Sequence, residues 1–242
     1  MLLYKYLAPS RTDVLHDCLI RFTQPDAFND LFDLRPNFEA PATDPLFDDE
    51  TDRRVGRFVV EKIGEAMSSW LSDKLNKTFG LLSLSEAPDE SVMWAHYGSS
   101  NSGFVIGFDS SHPFFSGGKW PAPQRVIYLD ERPLWSMKSP LSLDARYFYT
   151  KQSKWSYERE WRVVAALSDS TDVRGSPDER YPIHLYSFPS DCVSQIILGS
   201  RASPATRDRL REVCLSHYAE VEVLEAKPSS RGALINLVAC KW

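Results

Sequence analysis

Glu158 and Glu160 stand two residues apart in "KWSYEREWRVV" (154–164), between Trp155 and Trp161 and just ahead of the apolar run 163–167. On a β-strand this spacing puts both carboxylates on one face, about 7 Å apart along the chain. Two carboxylates that close repel, so one of them has its pKa raised. Such a pair can divide general acid/base work, or one member can stabilise a cationic centre that develops during bond cleavage. The competing interpretation is structural. Arg159 and Arg162 would neutralise a solvated strand end, and Glu160 would simply pair with Arg162 or Arg125. The flanking tryptophans and the apolar strand beyond favour a central strand whose carboxylates line a cleft.

Other polar and aromatic residues could share that cleft. "SVMWAHYG" (91–98) carries Trp94, His96 and Tyr97 on one short helix or turn. "FNDLFD" (28–33) sets Asn29, Asp30 and Asp33 between Phe28 and Phe32, which suits either an Asx turn anchored by two rings or a polar cleft wall. Tyr4 and Tyr6 share one face of the first strand and could pack under a flat ring. Several chemistries lack their signatures. H-E-x-x-H, H-x-E and C-x-x-C are absent, so no zinc site is expected. The glycine-rich phosphate cradles and the G-x-S-x-G elbow are absent as well. The four cysteines, Cys18, Cys192, Cys214 and Cys240, are widely spaced, as reduced thiols would be. A formal net charge of −5 argues against non-specific binding to nucleic acid. The N-terminus shows no basic leader, and no apolar run approaches the roughly 20 residues that cross a bilayer, so a cytoplasmic protein without membrane attachment is expected.

These residues need a frame. Alternation predicts strands at 2–7, 19–22, 79–86, 103–109, 125–129, 160–167, 181–187, 194–199 and 221–226. Helical spacing predicts helices at 56–76 and 204–218, with Pro204 in the first turn of the second. Shorter helices are expected at 10–18, capped by Ser10, at 89–98, capped by Asp89, and at 141–152. Residues 23–33 read as a structured loop and 39–55 as an acidic surface insertion. The order is mixed and no linker interrupts it. It therefore predicts one α+β domain over 1–242 with a mixed central sheet, its motifs within 3–167 and a strand–helix–strand part at 181–242.

The motifs also carry a resemblance. "LYKY" (3–6), F-x-x-P-x-x-FND-x-FD (22–33), "LSE" (84–86), "MWAHYG" (93–98), "GFVIGFD" (103–109) and W-x-YE-x-EWR (155–162) occur in the order of the bacterial family catalogued as domain of unknown function 2971. Leu31 departs from that pattern, where proline is usual. A second, thinner resemblance is to ADP-ribosyltransferases. It rests on Tyr-Glu-x-Glu (157–160) at a late strand, after an early strand ("LYKY") and a middle one ("LLSLSE"). That family has Arg or His on its early strand and a Ser-Thr-Ser triplet on the middle one; this chain has neither, only Ser83 and Ser85. The second resemblance implies a split sheet and NAD as substrate. It implies Glu160 as the carboxylate facing the ribose and Glu158 as the group that orients or activates an acceptor. Tyr4, Tyr6, Asn29, Asp30, Ser85, Trp94 and Tyr97 would surround the nucleotide, with His96 as a further catalytic candidate. A toxin or phage-defence role is the corresponding expectation. The alternatives from other classes are a metal-dependent nucleic-acid-processing enzyme built on Asp30, Asp33, His96, Glu158 and Glu160, and a non-catalytic module with its aromatics as interface anchors.

Overall fold

The computed structural model describes residues 1–35, 38–39, 50–133, 135–136, 145–176, 181–232 and 234–242. Its frame is one eight-stranded mixed sheet. In chain order the strands are β1 (Leu2–Leu7), β2 (Phe79–Ser85), β3 (Phe104–Asp109), β4 (Gln124–Arg125), β5 (Glu160–Ala166), β6 (Val193–Leu198), β7 (Glu222–Pro228) and β8 (Ile235–Ala239). Across the sheet they run β8-β7-β6-β3-β1-β2-β5-β4. All neighbours are antiparallel except β6 and β7. That parallel pair is joined by the helix Pro204–His217, as a parallel crossover requires. Ser203 caps this helix by accepting the Thr206 N–H. The fold is thus α+β with a mixed sheet.

Alternation sorts the central strands onto two faces. Leu3, Leu7, Leu84, Phe104, Ile106 and Val163 pack into the large core, while Tyr4, Tyr6, Met93, Trp94 and Val105 form a smaller cluster on the other side. Gly107 is required by this packing. A Cβ there would lie 3.0 Å from Tyr4 Cε1, so the glycine makes room for the ring.

The ladder between β1 and β2 differs from its neighbours. β1 matches β3 over six consecutive pairs and β2 matches β5 over seven, but β1 meets β2 through the single pair Tyr4↔Ser85. Glu160 is opposite Ser85 on the far side, so Tyr4, Ser85 and Glu160 form one row across three strands. The strand Leu19–Phe22 belongs to a separate three-stranded sheet with Asp172–Arg174 and Ile183–Ser187, and is tied back by a bridge from Thr23 to Leu81.

Several elements differ from the sequence reading. Ser10 caps nothing: residues Pro9–Arg11 form a 3-10 turn and the helix starts at Asp13. Glu90, not Asp89, caps the helix Ser91–His96, its carboxylate accepting the Val92 N–H. The stretch 141–152 is helical over only part of its described residues. Ala145–Tyr149 is a 3-10 helix and Thr150–Gln152 a strand, because the latter pairs in parallel with Ile127–Leu129. Of the acidic insertion, 40–49 lies outside the described residues and 50–55 opens the long helix Glu50–Thr78. β5 is next to the short edge strand rather than central, and β8 was not foreseen. Among the described residues, no helix is long and apolar enough to cross a membrane.

Candidate active site

Glu158 and Glu160 do not share a strand. Ser153–Glu158 is a 3-10 helix, Arg159 takes the left-handed conformation with φ 44°, and Glu160 begins β5. The turn at Arg159 swings both carboxylates toward one ammonium. Lys151 Nζ donates to Glu158 Oε2 at 2.5 Å and to Glu160 Oε2 at 3.0 Å. Lys151 is placed by the pairing of Thr150–Gln152 with Ile127–Leu129, in which it stands opposite Tyr128. The Tyr128 hydroxyl accepts the Glu160 N–H at 2.8 Å, so the same strand pair secures both ends of Glu160.

Arg162 completes the cluster. It is fully buried and spends all five of its N–H donors. Nε and Nη2 reach the two Glu160 oxygens at 2.8 and 3.0 Å, Nη1 and Nη2 reach the two Asp33 oxygens at 3.1 and 2.6 Å, and Nη1 also reaches the Phe148 carbonyl at 2.9 Å. Lys151 lies 3.6 Å from Asp33 as well. The cluster holds three carboxylates and two cations, so one carboxylate is in surplus.

Glu158 has that character. It is 3 % exposed. Burial pushes its pKa above the usual carboxylate range; Lys151 opposes this and Glu160 adds to it. Its other oxygen accepts from Tyr97 at 2.7 Å, and the Tyr97 hydroxyl in turn accepts from Asn29 Nδ2 at 3.1 Å. Burial, followed by the Glu158 charge, holds the Tyr97 phenol well above its ordinary value. Burial acts on Glu160 in the same upward sense, but Arg162 and Lys151 outweigh it and hold this carboxyl far below the usual range. Lys151 is held above the ordinary lysine value, burial being outweighed by Glu160 and Glu158. Burial raises Tyr128 to about 12.

Both glutamates line a cavity of about 250 Å³ together with Tyr4, Lys5, Tyr6, Thr23, Ala27, Phe28, Asn29, Ser83, Leu84, Ser85, Met93, Tyr97 and Lys151. The cavity lies where β1 and β2 share their single pair. Three consecutive residues of each strand line it, which an unbroken ladder does not allow because alternate residues face opposite sides. Ser85 helps shape the wall, its hydroxyl donating to the Glu158 carbonyl at 2.6 Å and accepting the Ala87 N–H at 3.0 Å.

Of the residues singled out from sequence, Tyr4, Tyr6, Asn29, Ser85, Tyr97, Glu158 and Glu160 meet at this cavity. Trp94, His96 and Asp30 are outside its lining. Trp94 is buried behind Tyr6, edge-on at 5.3 Å, with its indole N–H on the Pro88 carbonyl. His96 faces outward, with Nδ1 3.3 Å from the Tyr157 hydroxyl. Asp30 makes the Asx turn, accepting the Phe32 N–H at 3.1 Å. Trp161 points to the other face and donates to Glu86, and Arg125 is directed to Glu86 too. Trp155 stays close, its ring 5.1 Å from the Lys151 ammonium. Lys5, Lys151 and Tyr128 were not anticipated. No spacing announces Lys151, since the parallel strand pair that delivers it joins segments some 20 residues apart in sequence.

A family model described as "Protein of unknown function (DUF2971)" matches residues 93–163. The matched segment contains Tyr97, Tyr128, Lys151, Glu158, Glu160 and Arg162, and leaves β1 and the 28–33 loop outside. No curated protein and no solved structure matches the chain.

Proposed function

We infer that the chain, whose carboxylate-bearing segment matches that family, is an NAD-consuming transferase of ADP-ribose, with the nicotinamide–ribose end of NAD in the cavity. The observation that supports this best is the pair of carboxylates on Lys151 whose surroundings drive their pKa values in opposite directions. Such a split is how two like groups take different roles in acid/base chemistry. Glu160 is ionised and fixed, and can accept a hydrogen bond from a ribose hydroxyl as positive charge builds at the anomeric carbon. Glu158 is the more basic partner and can take the proton of the attacking acceptor. The glycosidic C–N bond breaks with its electron pair leaving on neutral nicotinamide, the acceptor's lone pair bonds to the anomeric carbon, and its proton passes to Glu158. Tyr4, Tyr6, Phe28 and Tyr97 supply the aromatic wall. At about 250 Å³ the cavity suits one end of the dinucleotide, since whole-ligand pockets run to about 300–1,000 Å³.

The metal-dependent reading has less support. Asp33, Glu158 and Glu160 are already engaged by Lys151 and Arg162, and His96 stands apart. Among the described residues, no group of three His, Cys, Asp or Glu side chains is arranged to hold a metal ion.

The test is release of nicotinamide from NAD, followed chromatographically, for the wild type and for Glu158→Gln and Glu160→Gln. The wild type should release nicotinamide above buffer, and each folded variant should lose at least about a hundredfold, as expected for a positioned acid/base or charge-stabilising group. A wild type that neither binds NAD nor releases nicotinamide refutes the reading.

A further inference from the structure

The charges around the cavity do not all have partners. Lys151 is held by Glu158 and Glu160, and Arg162 by Asp33 and Glu160. Lys5 also lines the cavity, yet its ammonium makes one hydrogen bond, to the Ser83 carbonyl at 3.0 Å. Among the described residues, no carboxylate stands within ion-pair distance of it. An ammonium has three donors, so two remain for a ligand.

The position of Lys5 follows from the break between β1 and β2. Leu3 and Leu7, two residues to either side, pack into the large core, so alternation directs Lys5 toward that apolar face. Because β1 and β2 share only the Tyr4↔Ser85 pair, the side chain crosses the slot to β2 and borders the cavity. A lone cation held this way is costly. Burial lowers its pKa to about 8, with Glu160 and, less strongly, Glu158 opposing the shift and Arg21 and Arg11 reinforcing it. An arriving anion offsets that cost.

We propose that Lys5 is the anion-recognition residue of this cavity and takes a phosphate group attached to the ribose of the bound nucleotide. The proposal rests on the nucleotide reading above and deepens it: the phosphate on the ribose, held by Lys5, carries the recognition, while the ring lies against the tyrosines. It is independent of which carboxylate does the chemistry.

The experiment compares two probes by calorimetry, nicotinamide mononucleotide and nicotinamide riboside, which differ by one phosphate. The wild type should bind the mononucleotide about 10- to 100-fold more tightly, the range of a hydrogen bond to a charged group. Lys5→Gln should bring the mononucleotide down to the level of the riboside, and Lys5→Arg should keep part of the preference. On the wild type alone, the preference should fall as pH rises past about 8, where free Lys5 loses its proton. That measurement needs no variant to fold. Equal binding of the two probes by the wild type, or a preference that survives in Lys5→Gln, overturns the proposal and leaves the nucleotide reading intact. Failure of both probes to bind removes the nucleotide reading, and the proposal falls with it.

Discussion

Arg162 and Glu158 belong to one buried cluster, but removing their charges should have opposite consequences. The wild-type cluster sets Asp33, Glu158 and Glu160 against Lys151 and Arg162. Arg162→Met leaves three carboxylates facing one ammonium and deletes five hydrogen bonds, four of them to carboxylate oxygens that have almost no access to water. Breaking a buried pair in this way costs about 3–5 kcal/mol. That is a large share of the roughly 5–15 kcal/mol that holds a domain together. Glu158→Gln instead leaves two carboxylates facing two cations. The amide keeps the size of the side chain, and the charge removed is the one that burial already disfavours. This variant should lie within about 1 kcal/mol of the wild type, on either side. Urea denaturation at pH 7, with the slope checked for constancy, measures both. If Glu158→Gln loses as much stability as Arg162→Met, or Arg162→Met loses less than about 1 kcal/mol, then charge balance does not govern the cluster and the division of roles between the two glutamates loses its basis.

Two further outcomes test the frame around the site. Lys5→Met should stabilise the protein at pH 7 by up to about 3 kcal/mol, from about 1.36 kcal/mol per pKa unit and a fall from 10.5 to about 8. The folded-state pKa is depressed, so the handicap of the wild type is complete below about 8, shrinks between about 8 and 10.5 and is gone above that; denaturation across this window should show the two proteins converging. Arg159→Gly should raise stability by up to about 1 kcal/mol, because an exposed non-glycine residue at φ 44° pays for a left-handed backbone that glycine adopts freely. A loss in thermal unfolding would mean that the Arg159 side chain has a role of its own.

The sequence by itself determined most of the elements and the sidedness of the central strands. Alternation of Leu3, Tyr4 and Tyr6, and of Leu84 and Ser85, is local information, and a strand converts it directly into two faces. The E-x-E motif likewise announced two carboxylates held close together, although they flank a left-handed turn instead of sharing a strand. Where local preference was weak, the reading failed. Residues 150–152, expected to continue a helix, follow a distant strand partner instead, and through that pairing Lys151 reaches the two glutamates. Trp94 and His96 show the same limit from the other side: a short helix presents both, but only packing against Tyr6 decides that Trp94 turns inward and His96 away. Tertiary structure alone decided that β1 and β2 share one pair, that a cavity opens beside it, and that of the two cations nearest the glutamates both are spent while Lys5 is not. Strand register and charge pairing are sums over residues far apart in the chain, and no window of sequence contains them.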